Sequence, residues 1–262
     1  MHESGDGASL NTPANRGVRA AARPATVPSM PNPIENLDWP RIEHDLRDYG
    51  CATTGAVLTP AECLALASSY ADERAFRARI VMARHGFGRG EYKYLAYPLP
   101  PVIAGLRTAL YRRFAPTANA WATALGRPAS FPPEHDAFLA QCHAAGQTRP
   151  TPLLLQYGEG DYNCLHQDLY GDLHFPLQVA FLLSRPGEDF TGGEFVLTEQ
   201  RPRMQSRAEV VALQQGEGVV FAVNQRPVQG TSGVYRVTMR HGVSRVRTGQ
   251  RHTLGIIFHD AR

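Results

Sequence analysis

Cys164-Leu165-His166-Gln167-Asp168 is the run whose reading decides the fold. Taken as an extended strand, it puts His166 and Asp168 on one face and Leu165 and Gln167 on the other, because strand side chains alternate. An imidazole and a carboxylate side by side supply two members of a 2-His-1-carboxylate set, a ligand arrangement that leaves positions open on Fe(II). The chain has ten His, enough for such a pair to arise by chance. The reading therefore depends on a third ligand and on a reason for the open positions.

Arg236–His241 offers the ligand. Val237, Met239 and His241 share one face of this alternating stretch and Thr238 and Arg240 the other, so His241 ends an apolar, inward row. Alone, such a histidine reads more readily as a satisfied core residue. The next strand weighs on the choice. Arg251, Thr253, Gly255 and Ile257 share one face, whereas His252, Leu254, Ile256 and Phe258 form an apolar face suited to packing under helices. Arg251 then points inward, which is costly for a guanidinium without an anion. A metal site beside such an arginine, with no evident protein carboxylate for it, invites a dicarboxylate cosubstrate. Its 2-oxo-acid end can chelate the metal while its far carboxylate meets the guanidinium fork.

Working outward, residues 151–262 read as short strands divided by turn signals. The candidates are 152–157, 163–168, 174–183, 193–197, 210–213, 218–223, 234–246 and 251–259, with Gly158-Glu159-Gly160-Asp161 and Gly216-Glu217-Gly218 among the turns. Residues 38–150 are mainly helical support. Trp39-Pro40 opens a short helix ended by Tyr49-Gly50, and 51–57 is a strand. Thr59, Pro60 and Glu62 make a capping box and helix start. Residues 101–125 form a longer helix with a break expected at Pro116, and a third helix follows Pro132-Pro133. The fold class is α+β, a jelly-roll (double-stranded β-helix) core with N-terminal helices packed on one sheet. Residues 1–37, rich in Pro and free of aromatics, read as a disordered tail ahead of one domain at 38–262.

Composition is that of an ordinary globular protein: 262 residues, 43% hydrophobic, 19% charged, net charge +3. That charge is too small to imply a nucleic-acid partner. Cys51, Cys63, Cys142 and Cys164 are scattered, which argues against a disulfide scaffold and suits a reducing cytoplasm. No run of about 18 apolar residues is present, so no membrane span is expected.

His166-x-Asp168, His241 73 positions on and Arg251 ten further resemble the Fe(II)/2-oxoglutarate-dependent dioxygenases, and most closely their prolyl-hydroxylase-like branch. Tyr157-Gly158-Glu159-Gly160, Thr191-Gly192-Gly193-Glu194 and Arg240-His241-Gly242-Val243-Ser244 fit the same pattern, which covers about residues 151–260. From Asp38 onward the chain also resembles a largely uncharacterised bacterial subfamily, some of whose members carry a label linking them to damaged nucleic acid. One departure bears on that label. Base-repair members carry a second arginine six residues after the cosubstrate arginine, and here that position is Ile257.

The resemblance implies Fe(II) held by His166, Asp168 and His241, and 2-oxoglutarate anchored by Arg251 in a pocket lined by Tyr157 and Thr253. It further implies O2 as oxidant, succinate and CO2 as products, and support from ascorbate. The substrate is then a protein, peptide or small molecule. A nucleic-acid oxygenase acting on damaged or methylated bases is the first alternative, and a non-catalytic binding module on the same fold the second. The basic, aromatic stretch 74–97 reads either as a lid or as a solvated connection. Arg226 and Arg236 either border the substrate mouth or are ordinary surface arginines. Gln178 either neighbours the cosubstrate or makes ordinary hydrogen bonds. His85, His135, His143, His174 and His259 are set aside as background.

Overall fold

The computed structural model describes residues 33–262. The expected tail lies outside these residues as far as Asn32. At its other end the boundary shifts, because Pro33–Asn36 forms a 3-10 turn with Ile34 buried, so packed structure starts before Asp38.

In chain order the elements are α1 (Trp39–Tyr49), β1 (Cys51–Ala56), α2 (Pro60–Ser69), β2 (Phe76–Val81), β3 (Gly88–Arg89), β4 (Glu91–Leu95), α3 (Pro101–Ala124), α4 (His135–Ala144), β5 (Leu153–Tyr157), β6 (Tyr162–His166), β7 (Leu177–Leu182), β8 (Phe190–Gly192), β9 (Phe195–Gln200), β10 (Arg207–Val211), β11 (Glu217–Ala222), β12 (Gln225–Gly230), β13 (Gly233–Val243), β14 (Val246–Gly249) and β15 (Arg251–Ile256). A major sheet of seven strands runs β1-β11-β7-β15-β5-β4-β2, and a minor sheet runs β10-β9-β13-β6-β3 with β12 paired to the first half of β13. The strand pairings within both sheets are antiparallel. The fold is thus mixed helix and antiparallel sheet.

Local chemistry sets the helix ends. Thr59 accepts from the Glu62 backbone N–H while Glu62 reaches back to the Thr59 N–H, closing the capping box. Gly50, at φ 77°, closes α1 in the left-handed region. α3 differs from expectation: Pro116 lies inside one continuous helix, with Phe114, Ala115 and Ala118 buried around it in the core.

The two faces of β15 separate core from site. Leu254, Ile256 and Phe258 are fully buried, and Phe258 meets Tyr111 and Phe114 of α3 ring to ring. Arg251, Thr253 and Gly255 line a cavity between the sheets.

Stretch 74–97 is neither a lid nor a solvated connection over most of its length. β2 and β4 extend the major sheet, pairing Ile80 with Tyr92 and Ala78 with Tyr94. Lys93 is buried, its ammonium 2.9 Å from the Tyr70 carbonyl and 2.6 Å from Glu73. Only the link between them crosses to the minor sheet, through β3. Gly88 is required there: its φ is 130°, and a Cβ would lie 2.3 Å from the Tyr162 carbonyl oxygen.

Arg107 of α3 anchors the C-terminus. Its guanidinium donates to Asp260 at 2.8 Å and to the Ile257 and His259 carbonyls, and both partners of the ion pair are buried. Burial alone would raise the Asp260 carboxyl, but Arg107, His143 and Tyr97 hold it below its ordinary range. Its contribution is therefore complete above the unfolded carboxylate range and fades as pH falls through the lower folded value. His135 and His259 are pushed down by burial, to about 4 and about 3. The unfolded chain takes up these protons first, so they withdraw stability as pH drops from about 6.5. Asp260→Ala should cost about 3–5 kcal/mol at neutral pH, because Arg107 is left buried and unpaired. Urea unfolding at neutral and acid pH checks both the loss and the weaker acid dependence of the variant.

Candidate metal centre

β6 and β13 are hydrogen-bonded neighbours whose register sets His166 opposite His241, with ring centroids 4.2 Å apart. β6 ends at His166, so Asp168 lies two residues past the strand and not on it as the alternation predicts. Asp168 nonetheless lies against both imidazoles: Oδ1 is 3.4 Å from His166 Nε2 and Oδ2 is 3.4 Å from His241 Nε2. One ligand atom from each of the three lies within 4.8 Å of the others.

Neighbouring groups hold this arrangement. His166 Nδ1 lies 2.8 Å from the Cys164 carbonyl. A proton on Nδ1 leaves Nε2 free as a ligand. The Tyr170 hydroxyl donates to Asp168 Oδ1 at 2.7 Å and Gln178 Nε2 donates to Oδ2 at 2.9 Å. The ordinary bond expected of Gln178 thus goes to the metal-site carboxylate. Gln147, fully buried, donates to the Tyr170 and Leu173 carbonyls and accepts from the Leu173 N–H, clamping the loop beyond Asp168. Gly171 lies against it at φ 93°, where a Cβ would be 2.5 Å from the Gln147 side chain. His241 is gripped by packing, its ring 4.5 Å from Phe221 and 6.0 Å from Phe195.

The charge states of Asp168 and His241 suit ligation. Burial would raise the Asp168 carboxyl, but contacts with His166 and His241 hold it well below the usual range. Burial also pushes His166 down, and the Asp168 contact more than reverses this. His241 is lowered by burial. An ionised carboxylate and a neutral imidazole are the forms that bind a metal.

On the facing sheet, the Arg251 register partner is Tyr157. Arg251 is 2% exposed and donates to Thr253 Oγ1 at 2.5 Å. Its guanidinium also lies 5.5 Å from the Tyr157 ring centroid. No carboxylate pairs with it among the described residues, and its Nε is buried without a partner. Burial lowers its pKa, offset in part by Tyr157 and Glu194. The triad, Arg251, Thr253 and Tyr157 all line one cavity of about 200 Å³. The donor set fits a divalent metal with open positions, and the unpaired guanidinium fits a carboxylate-bearing ligand.

Sequence reasoning missed Tyr170, Tyr92, Asn163 and the Phe221/Phe195 wall. Tyr92 had a signal, since Glu91-Tyr92-Lys93-Tyr94-Leu95 alternates as a strand does. Ile257 is buried against Tyr94 and Leu153, so no second guanidinium serves the cavity from that position. Arg226 is not at the mouth. It is fully buried and ties Glu199 of β9 to the Arg47 and Asp48 carbonyls at the end of α1. His259 is a core residue, accepting from the Phe175 N–H at 3.2 Å.

Three comparisons bear on this geometry. A family model described as an oxygenase catalysing oxidative methylation of damaged DNA matches residues 90–261. An uncharacterized protein of Mycobacterium tuberculosis, found in two strains, is 54% identical over 164 residues, covering 63% of this chain and 70% of the relative. Among solved structures, an oxidoreductase of the 2OG-Fe(II) oxygenase family from Burkholderia pseudomallei superposes with a TM-score of 0.50 at 16% identity, over 85% of this chain and 92% of that one. A prolyl-4-hydroxylase from Pseudomonas putida gives 0.45 at 15% identity, over 86% and 99%.

Proposed function

This chain belongs to the oxygenase family whose model matches residues 90–261, and from that membership we propose an Fe(II)- and 2-oxoglutarate-dependent dioxygenase with a double-stranded β-helix core at residues 151–262. As an oxygenase it is an oxidoreductase, which sets aside the non-catalytic reading. One observation carries the proposal. Arg251, buried without a carboxylate partner, shares a single cavity with His166, Asp168 and His241.

His166, Asp168 and His241 would hold the iron. Bound Fe(II) would supply the coupled oxidation, by O2, of 2-oxoglutarate to succinate and CO2 and of a substrate C–H bond, with ascorbate keeping the metal reduced. The protein's share is binding and orientation. Arg251 and Thr253 receive the far carboxylate of 2-oxoglutarate, and Tyr157 closes that end of the cavity. Tyr170 and Gln178 fix both oxygens of Asp168. Phe195, Phe221 and Leu155, all lining the cavity, exclude water from the reacting centre.

Two substrate classes have support. The missing second arginine at Ile257 favours hydroxylation of a protein, peptide or small molecule. The family description favours DNA. Four free cysteines fit a reducing cytoplasm, and no helix among the described residues is long and apolar enough to cross a membrane.

Purified protein supplied with Fe(II), ascorbate, O2 and 2-oxoglutarate should form succinate slowly without added substrate. Chromatography of the acids checks this. Succinate no higher than in a protein-free control, at full iron occupancy, would count against the assignment.

A further inference from the structure

A second hollow, of about 350 Å³, shares no lining residue with the metal cavity. It opens between the C-terminal end of α3, the segment leading into α4, and the loop that runs from Asp168 towards β7. Its apolar wall is built from Trp121, Leu125, Phe131, Phe138 and Leu173. Trp121 and Phe138 are buried, whereas Leu125, Phe131 and Leu173 are half-buried and leave apolar surface in the hollow. The volume lies within the range of small-molecule sites, about 300–1,000 Å³.

The polar end of the hollow carries Arg127, His174 and Gln225. Gln225 Oε1 accepts from Arg127 Nη2 at 2.5 Å and from Arg236 Nη1 at 3.5 Å, so two guanidiniums converge on one neutral oxygen. Neither is paired with a carboxylate among the described residues, and of the Arg127 guanidinium nitrogens only Nη2 has a partner there. Asp172, the one carboxylate among the lining residues, is paired with Arg262. Burial, and then Arg127, lower the pKa of His174. Its ring is therefore neutral at neutral pH and offers a hydrogen bond instead of a charge.

We propose that this hollow binds a small amphiphilic carboxylate, with its head at Arg127 and Arg236 and its apolar body along Leu125, Phe131 and Leu173. The site does not rest on the oxygenase reading. A carboxylate has the planar shape of the Gln225 amide and carries the charge that the amide lacks. It can also use the Arg127 donors that are left unpaired. The body covers apolar side-chain surface that otherwise faces water, which is favourable in proportion to the area covered. An arginine on an open surface selects no ligand. One at the end of an apolar hollow selects a molecule that has both an anionic head and an apolar body.

The test is isothermal titration calorimetry of sodium octanoate into the full-length, metal-free protein. Tryptophan fluorescence is followed in parallel, because Trp121 lines the hollow. The wild type should take up octanoate saturably and change its fluorescence. Arg127→Gln should weaken binding about tenfold or more, the scale of one charge-assisted hydrogen bond. Arg127 is exposed, so the variant should melt as the wild type does. Arg236→Gln should weaken binding less, in line with its longer contact. Two comparisons on the wild type alone need no variant: octanol has the body without the charge, acetate the head without the body, and both should bind far more weakly than octanoate. Arg251→Met should bind octanoate as the wild type does, which separates this site from the carboxylate site of the metal cavity. No saturable uptake by the wild type, unchanged affinity in Arg127→Gln, loss of binding in Arg251→Met, equal binding of octanol or acetate, or tighter binding of octyl phosphate would overturn the proposal.

Discussion

Asp168→Ala should abolish iron binding at micromolar metal and reduce succinate formation to background, while the protein stays folded. The carboxylate is the one anionic ligand of the three and lies between both imidazoles, 3.4 Å from each Nε2. Its removal leaves two neutral nitrogens, which cannot offset the charge of a divalent ion at a site buried on the Asp168 and His241 side. Even the loss of groups that merely orient a ligand typically costs about 10–100-fold in metal affinity or activity, so loss of the ligand itself should exceed that. Equilibrium dialysis against Fe(II) under argon, with turnover measured in parallel, checks both. A modest penalty in folding is expected too, because Tyr170 and Gln178 lose their acceptor. Retention of tight iron binding would mean that the metal, if any, sits elsewhere.

Arg251→Ala should raise the 2-oxoglutarate KM by a factor of about 30 or more. Truncating one partner of a buried, hydrogen-bonded charge pair costs about 2–5 kcal/mol, and each 1.4 kcal/mol is about tenfold. Arg251→Lys should be intermediate, since it keeps the charge but loses the planar fork. The same residue makes a second, less obvious prediction. Without cosubstrate the guanidinium is buried with no carboxylate paired to it among the described residues, a destabilising condition. Arg251→Met should therefore melt higher than the wild type when 2-oxoglutarate is absent. Adding 2-oxoglutarate with a redox-inert divalent metal should raise the wild-type Tm and leave that of Arg251→Met nearly unchanged. Thermal melts of both proteins with and without ligand decide it. If Arg251→Met is the less stable protein under all conditions, Arg251 serves the fold and not an anion.

The site was legible because it is written in alternation. His241 closes an apolar inward row on β13, and Arg251 opens the inward face of β15, so period-2 reading alone points both into one space. The capping box at Thr59 and the αL glycine at Gly50 are local signals of the same clarity. What escaped were features whose energetics are set by distant partners. Arg77, Arg79 and Lys93 look like a solvated loop in sequence. In the structure Lys93 is buried because the Tyr70 carbonyl and Glu73, from another part of the chain, satisfy its ammonium. Arg226 likewise gives no local hint of the carboxylate and carbonyls that bury it. Asp168 sits just past the end of β6, and alternation does not foresee that Tyr170 and Gln178 hold its two oxygens. Pro116 breaks no helix, because tertiary packing around Phe114 and Ala118 outweighs one missing hydrogen bond.

The strongest single signal is the buried guanidinium of Arg251, which no carboxylate among the described residues pairs with.

The central claim, that one cavity holds Fe(II) and 2-oxoglutarate together, is tested most directly by titrating 2-oxoglutarate into the Fe(II)-loaded protein without O2. A 2-oxo acid chelated to ferrous iron gives a visible charge-transfer absorption that neither component shows alone. The account predicts a saturable band at one equivalent of iron in the wild type, shifted to much higher 2-oxoglutarate in Arg251→Ala and absent in Asp168→Ala. A wild-type protein that binds iron but develops no band at any 2-oxoglutarate concentration would contradict it.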